Sequence, residues 1–231
     1  MTTVGLVGGL GPESTIDYYR RILDGWARHD PASSPSIVID NLDSTLALRL
    51  AGRDRGEFAD YLLTSIRRLT GAGVDFVAMT ANTPHMVFDE LAAASSVPLL
   101  SIVEVCAEEA RRRGLHRLLL LGTRFTMEAE FYPTVFARYG IDVIAPDEAE
   151  RTRVHARYVN ELLAGKFLDS TRDEFVALIA RIRDRATVDG IILGGTELPL
   201  LLRAPVIADL PVLDTTELHV AAIVHRLIGR D

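Results

Sequence analysis

Val4-Gly5-Leu6-Val7-Gly8 is a short, unbroken apolar run closed by glycine, and a loop and Tyr18 follow it. At an offset of 114 residues the pattern returns as Leu118-Leu119-Leu120-Leu121-Gly122, followed by a loop and Tyr132. The same offset carries Val74-Asp75-Phe76-Val77-Ala78-Met79 onto Val188-Asp189-Gly190-Ile191-Ile192-Leu193. Val97-Pro98-Leu99-Leu100 pairs with Leu210-Pro211-Val212-Leu213 at an offset of 113. Separated stretches that keep one register are the mark of an internal duplication.

Outward from these runs, the chain alternates short apolar segments with longer amphipathic ones. Val4–Val7, Ile37–Asp40, Phe76–Met79 and Leu99–Ile102 read as strands, as do Leu118–Leu121, Val143–Ala145, Ile191–Leu193 and Val212–Leu213. Helical patterns include Thr15–His29, Arg55–Ala72, Met86–Ala94 and Asp173–Arg185. Strands that alternate with helices give parallel sheets joined by right-handed crossovers. Apolar runs without polar alternation suit strands covered on both faces. The expected fold is α/β, with two pseudo-symmetric lobes, each a parallel sheet flanked by helices, and an active-site cleft between them. Residues 1–100 with 213–231 would form the first lobe, and residues 101–212 the second.

Composition narrows the function classes. Hydrophobic residues make up 48% of the 231 and charged residues 25%, enough apolar material for a sizeable core. A formal net charge of −7 argues against a general affinity for nucleic-acid phosphates, although a local pocket in an acidic protein can still hold an anion. No apolar stretch approaches the length of a bilayer span, and the N-terminus enters a strand pattern without a basic segment or cleavage site. The expectation is a soluble cytoplasmic protein without nucleic-acid or membrane partners. Cys106 is the single cysteine, which excludes an intrachain disulfide, a thiolate metal cluster and a pair of thiol bases within one chain. It reads as a small buried residue on a helix.

In parallel sheets ligands bind beyond the carboxyl ends of the strands, so four loops are site candidates: Gly8–Ser14, Thr80–His85, Gly122–Thr126 and Gly194–Leu198. The first joins strand to helix with three glycines. It is either an anion-binding helix start, with Gly11 facing the ligand, or a plain turn capped by Ser14 or Thr15. Its spacing matches neither a dinucleotide fingerprint nor a phosphate-binding P-loop. In the second loop Asn82 and Thr83 suit a carboxylate, Pro84 suits a first helical turn, and His85 at a helix start would stay neutral as a base or a hydrogen-bond donor, or else merely pack. Thr123 and Thr126 offer hydroxyls in the third, where Arg124 points either to a ligand or to solvent. Thr196 and Glu197 end the second-half strand. Glu197 is open to three roles: binding a substrate ammonium, acting as an acid/base, or tying the lobes together. Arg49, Arg53 and Lys166 are further cations suited to a distal acidic group or to a surface.

Val4–Tyr19, Asn82-Thr83-Pro84-His85, Leu121–Tyr132 and Gly194–Leu198, in this order across the chain, resemble the aspartate/glutamate racemase family. The resemblance implies two pseudo-symmetric lobes, a homodimer, and chemistry without pyridoxal phosphate, metal or nucleotide. It further implies two thiols on opposite faces of an α-carbon, one removing a proton and the other returning one. Those thiols would directly precede the Asn-Thr and Thr-Glu pairs, where this sequence has Ala81 and Gly195. Neither side chain transfers a proton. Acidic-substrate contacts would fall near Arg49 and Lys166. Two readings follow. One is an enzyme acting at the α-carbon of a small amino or carboxylic acid by non-thiol chemistry, as an isomerase or a lyase. It would use His85, Glu197, Thr80 or Glu13 as catalytic groups, and Gly11, Asn82, Thr83, Thr123, Thr126 and Thr196 as binding groups. The other is a non-catalytic binder of such an acid.

Overall fold

The computed structural model describes residues 2–229. They divide into two compact units, residues 2–102 with 216–229, and residues 103–215. The first unit runs β1 (Thr3–Gly8), α1 (Pro12–His29), β2 (Ser36–Asn41), α2 (Ser44–Ala51), α3 (Arg55–Gly71), β3 (Phe76–Met79), a 3-10 turn (Thr83–Val87), α4 (Phe88–Ala94) and β4 (Leu99–Leu100). Next come α5 (Ile102–Arg112), β5 (Arg117–Gly122), α6 (Arg124–Glu128), α7 (Phe131–Ala137), β6 (Asp142–Ile144) and α8 (Glu148–Asn160). The second unit closes with α9 (Asp169–Arg185), β7 (Gly190–Gly194), α10 (Leu198–Leu201), β8 (Val206–Ile207) and β9 (Leu210–Asp214), after which α11 (Thr215–Leu227) returns to the first.

The two sheets repeat one topology. The first has the order β2-β1-β3-β4, and the second β6-β5-β7-β9 with β8 added at its edge. All pairings are parallel except β8 with β9. In each unit, therefore, the glycine-ended strand lies between its neighbours, and the strand that leads to the second site loop lies beside it.

Strand alternation sorts the core residues. In the first unit Val4, Leu6, Phe76 and Ala78 pack with Tyr18 and Ile22 of α1 and Val220 and Ile223 of α11. Val7, Val77 and Met79 meet Phe58, Leu62 and Ile66 of α3. In the second unit Leu119, Leu121, Ile191 and Leu193 pack against Val154 and Tyr158 of α8 and Phe175, Leu178 and Ile182 of α9. Both faces of the first sheet are covered, which is why its strands read as continuous apolar runs.

Two expectations are corrected. The strand expected over Leu99–Ile102 ends at Leu100, because the Ile102 N–H turns away to donate to His85 Nε2 (3.2 Å) and Ile102 opens α5. The helix expected over Met86–Ala94 is a 3-10 turn followed by α4, with Pro84 in the turn's opening positions. The second sheet keeps its parallel strands and adds an edge strand that the sequence did not suggest: β8 forms a hairpin with β9 through Ala208 and Asp209, both at positive φ (48° and 61°). Such a turn usually carries Asn or Gly. Here Arg183 pins it, donating to the Ala208 carbonyl (2.9 Å) and to Asp209 Oδ2 (2.8 Å).

Candidate active site

In the first unit the loop after β1 is held by Thr15. Its hydroxyl accepts from the Gly9 N–H (2.9 Å), donates to the Gly11 carbonyl (3.1 Å) and lies 3.1 Å from the Thr80 hydroxyl. Gly9 has φ +78°, and a Cβ there would lie 2.2 Å from the Leu42 carbonyl oxygen, so only glycine fits. The N-cap of α1 is Gly11, with no side-chain cap, so neither Ser14 nor Thr15 plays that part. Ser14 and Thr15 are instead buried within the first helical turn.

The loop after β3 is equally fixed. Thr80 is buried and donates to the Val7 carbonyl (3.2 Å), which binds the loop to β1. Asn82 is buried and Thr83 half-buried. His85 is 3% exposed and stacks on Phe88 at 5.2 Å. Its Nε2 accepts from Ile102 N–H, so its Nδ1 must be the donor to the Asn82 carbonyl (3.2 Å). Burial is the main reason its pKa falls to about 3, with the nearby His219 a smaller one. His85 is thus neutral, with both nitrogens engaged by backbone. That geometry holds the loop and leaves no lone pair for an α-proton. His219 is bound in the same manner, with Nδ1 accepting from the Tyr18 hydroxyl (2.9 Å) and Nε2 donating to the Leu100 carbonyl (3.2 Å).

In the second unit the loop after β5 begins at Thr123, the N-cap of α6, whose hydroxyl accepts from Thr126 N–H (3.3 Å) and lies 3.2 Å from the Thr126 hydroxyl. Arg124 is exposed and faces Glu128 (3.8 Å). The loop after β7 carries Gly195, Thr196 and Glu197, all buried. Glu197 Oε2 accepts from the Tyr158 hydroxyl and from the Thr196 hydroxyl (3.4 Å). The Tyr158 oxygen also accepts from the Glu197 N–H (3.4 Å).

Tyr158 is the site residue that sequence reasoning missed. It comes from α8, whose start is fixed by a capping box between Asp147 and Glu150. Glu150, Val154 and Tyr158 recur every four residues and form the buried face of this otherwise charged helix. That spacing is the signal that was available. The absence of a side chain at Gly195 makes room for the ring: a Cβ there would stand 2.5 Å from both Tyr158 Cε2 and its oxygen. Burial first, and the Glu197 carboxylate second, raise the phenol's pKa well above its ordinary value.

The other expected groups lie elsewhere. Glu13 is exposed in the first turn of α1, where a carboxylate complements the helix dipole. Arg49, in the last turn of α2, is exposed, and so is Lys166, whose charge lies near Glu161. Cys106 is fully buried in α5, and burial pushes its thiol pKa up, away from the reactive thiolate. Among the described residues no helix is long and apolar enough to cross a membrane. Among them, too, no three His, Cys, Asp or Glu side chains gather as a metal site requires.

The comparisons agree with this architecture. The Asp/Glu/Hydantoin racemase family matches residues 7–223. The broad specificity amino-acid racemase RacX of Bacillus subtilis (strain 168) is 29% identical over 167 residues, 70% of this chain and 69% of its own. An Asp/Glu racemase candidate from Yersinia pestis superposes with a TM-score of 0.87 at 34% identity, covering 99% of this chain and 100% of that one. An aspartate racemase homologue from Pyrococcus horikoshii OT3 gives 0.82 at 30% identity, with 99% and 100% covered. With a repeated β2-β1-β3-β4 topology, polar loops at the matching strand ends and similarity along nearly its whole length, the chain belongs to the Asp/Glu/Hydantoin racemase family.

Proposed function

We propose that the protein is an enzyme that breaks and remakes a C–H bond at the α-carbon of a small amino or carboxylic acid, without pyridoxal phosphate and without a thiol. The observation that carries this is Glu197. It is a carboxylate 3% exposed at the carboxyl end of β7, in a loop where the chain has no other ionisable side chain. A buried acid at a strand end, held by a phenol and a hydroxyl, is suited to general acid/base work. Thr123, Thr126 and Thr196, in the unit that carries Glu197, are neutral hydrogen-bonding groups of the kind that suits a substrate carboxylate. Of the groups expected to catalyse, His85 and Thr80 serve to position their loop, since their polar atoms bind the backbone.

The test is α-proton exchange in D₂O, followed by NMR, over L- and D-aspartate, L- and D-glutamate and a panel of neutral amino and hydroxy acids. Saturable exchange on at least one compound is expected. Thermal stabilisation by one compound with no exchange on any would refute the catalytic reading in favour of a binder.

A further inference from the structure

Tyr158 is a buried titratable group in contact with a buried carboxylate, at the carboxyl end of a parallel strand. Its place is set twice, by the four-residue spacing on α8 and by the missing side chain at Gly195. The phenol oxygen lies 2.5 Å from where a Gly195 Cβ would be, so it takes the space that a side chain on that strand-end loop would fill. Its hydrogen is directed to Glu197 Oε2, and the Glu197 N–H fixes its angle.

Building on the proposed α-carbon chemistry, we infer that Tyr158 and Glu197 form a proton relay in which the phenol oxygen is the atom that meets the α-hydrogen. In the forward step the substrate C–H bond breaks and its proton bonds to the Tyr158 oxygen. At the same time the phenol's own proton passes to Glu197 Oε2, and the electron pair left on carbon is taken up by the substrate carboxylate. The phenol hydrogen then exchanges with solvent, and the return step runs each transfer backwards, delivering a solvent hydrogen to carbon and restoring phenol and carboxylate with water as the only other reactant.

A relay reconciles two facts that a lone tyrosine base does not. Burial and the neighbouring carboxylate both disfavour a phenolate, so Tyr158 on its own is a poor proton acceptor. When the incoming and outgoing protons move together, negative charge passes from Glu197 to the substrate and none builds up on the ring. Positioned acid/base groups of this kind contribute about 10²–10⁴ in rate.

The experiment measures α-proton exchange in D₂O on the best compound of the amino-acid panel, for the wild type, Tyr158→Phe, Glu197→Gln and the double variant. Thermal melts and ligand-induced stabilisation are read in parallel, so that folding and binding are known for each. The relay predicts that each single variant loses at least about 100-fold in exchange while still binding the compound, and that the double variant is no slower than the slower single. Wild-type exchange by folded Tyr158→Phe overturns the relay and leaves the α-carbon reading intact. Losses that multiply in the double variant also overturn it, since independent groups multiply. No exchange by the wild type on any compound overturns both.

Discussion

Gly195→Ala is the sharpest structural consequence of the Tyr158 placement. The added methyl would lie 2.5 Å from Tyr158 Cε2, 2.5 Å from its oxygen and 2.8 Å from Cζ. Ordinary carbon contacts need about 3.5 Å, so the ring must retreat by roughly 1 Å. The ring is packed among Leu119, Val154 and Phe175, and overpacking a filled core costs about 1–3 kcal/mol. A retreat also draws the hydroxyl from Glu197, and a buried acceptor that loses a donor costs about 1–3 kcal/mol more. The expected total is about 2–6 kcal/mol, which for a chain of this size lowers Tm by roughly 4–24 °C. Gly71→Ala is the control, since its Cβ would meet nothing within 4 Å and it ends a helix. It should be neutral, or stabilising by up to about 1 kcal/mol. The assay is thermal and urea unfolding of both variants, and of Gly195→Ala in a Tyr158→Ala background. In that background the methyl meets no ring, so its cost should largely vanish. A Gly195→Ala protein within about 0.5 kcal/mol of wild type, or an undiminished cost without the ring, would refute the placement of Tyr158.

Other consequences can be measured independently. His85 and His219 have folded pKa values near 3 and 4, below the ordinary 6.5, so the folded state binds fewer protons than the unfolded one in that interval. Stability should therefore be full above about pH 6.5 and fall as pH drops, by up to about 1.4 kcal/mol per pH unit for each histidine. Urea midpoints between pH 4.5 and 8 check this, and His219→Gln should flatten the slope. Ala208→Gly relieves a non-glycine residue at φ 48° and should stabilise by about 0.5–1 kcal/mol in urea titrations; destabilisation would contradict the turn. The proposed relay brings a single proton acceptor, the Tyr158 oxygen, to the α-carbon. Deuterium should accordingly enter one enantiomer of the best substrate at least about 100-fold faster than the other. Equal wash-in from both enantiomers would reveal a second base.

What the sequence disclosed, and what it did not, follows from the range of the interactions involved. Val4–Gly8 and Leu118–Gly122 announced the repeated glycine-ended strand because both runs are local and apolar throughout. The placement of Asn82 after β3 and of Thr196 and Glu197 after β7 was legible because each strand end and its loop are contiguous in sequence. Tyr158 was not, since its meeting with Glu197 spans 39 residues and depends on a glycine whose significance lies in the side chain it lacks. His85 was placed correctly in its loop. The Ile102 N–H that binds its second nitrogen, however, was expected to belong to a strand. β8 stayed hidden because its hairpin turn is Ala-Asp rather than a glycine pair, with Arg183 supplying from α9 the restraint that turn chemistry usually provides.

The central claim is proton transfer at an α-carbon without a thiol, and Cys106→Ala tests it most directly. Cys106 is the chain's single cysteine, fully buried in α5, with its thiol held protonated by burial. The measurement is the α-proton exchange rate of the folded variant beside wild type, in D₂O, on the compound that exchanges fastest. The account predicts rates equal within about twofold, a difference of roughly 0.4 kcal/mol in barrier. Loss of exchange by a folded, ligand-binding Cys106→Ala protein would show that the thiol takes part, and would contradict it.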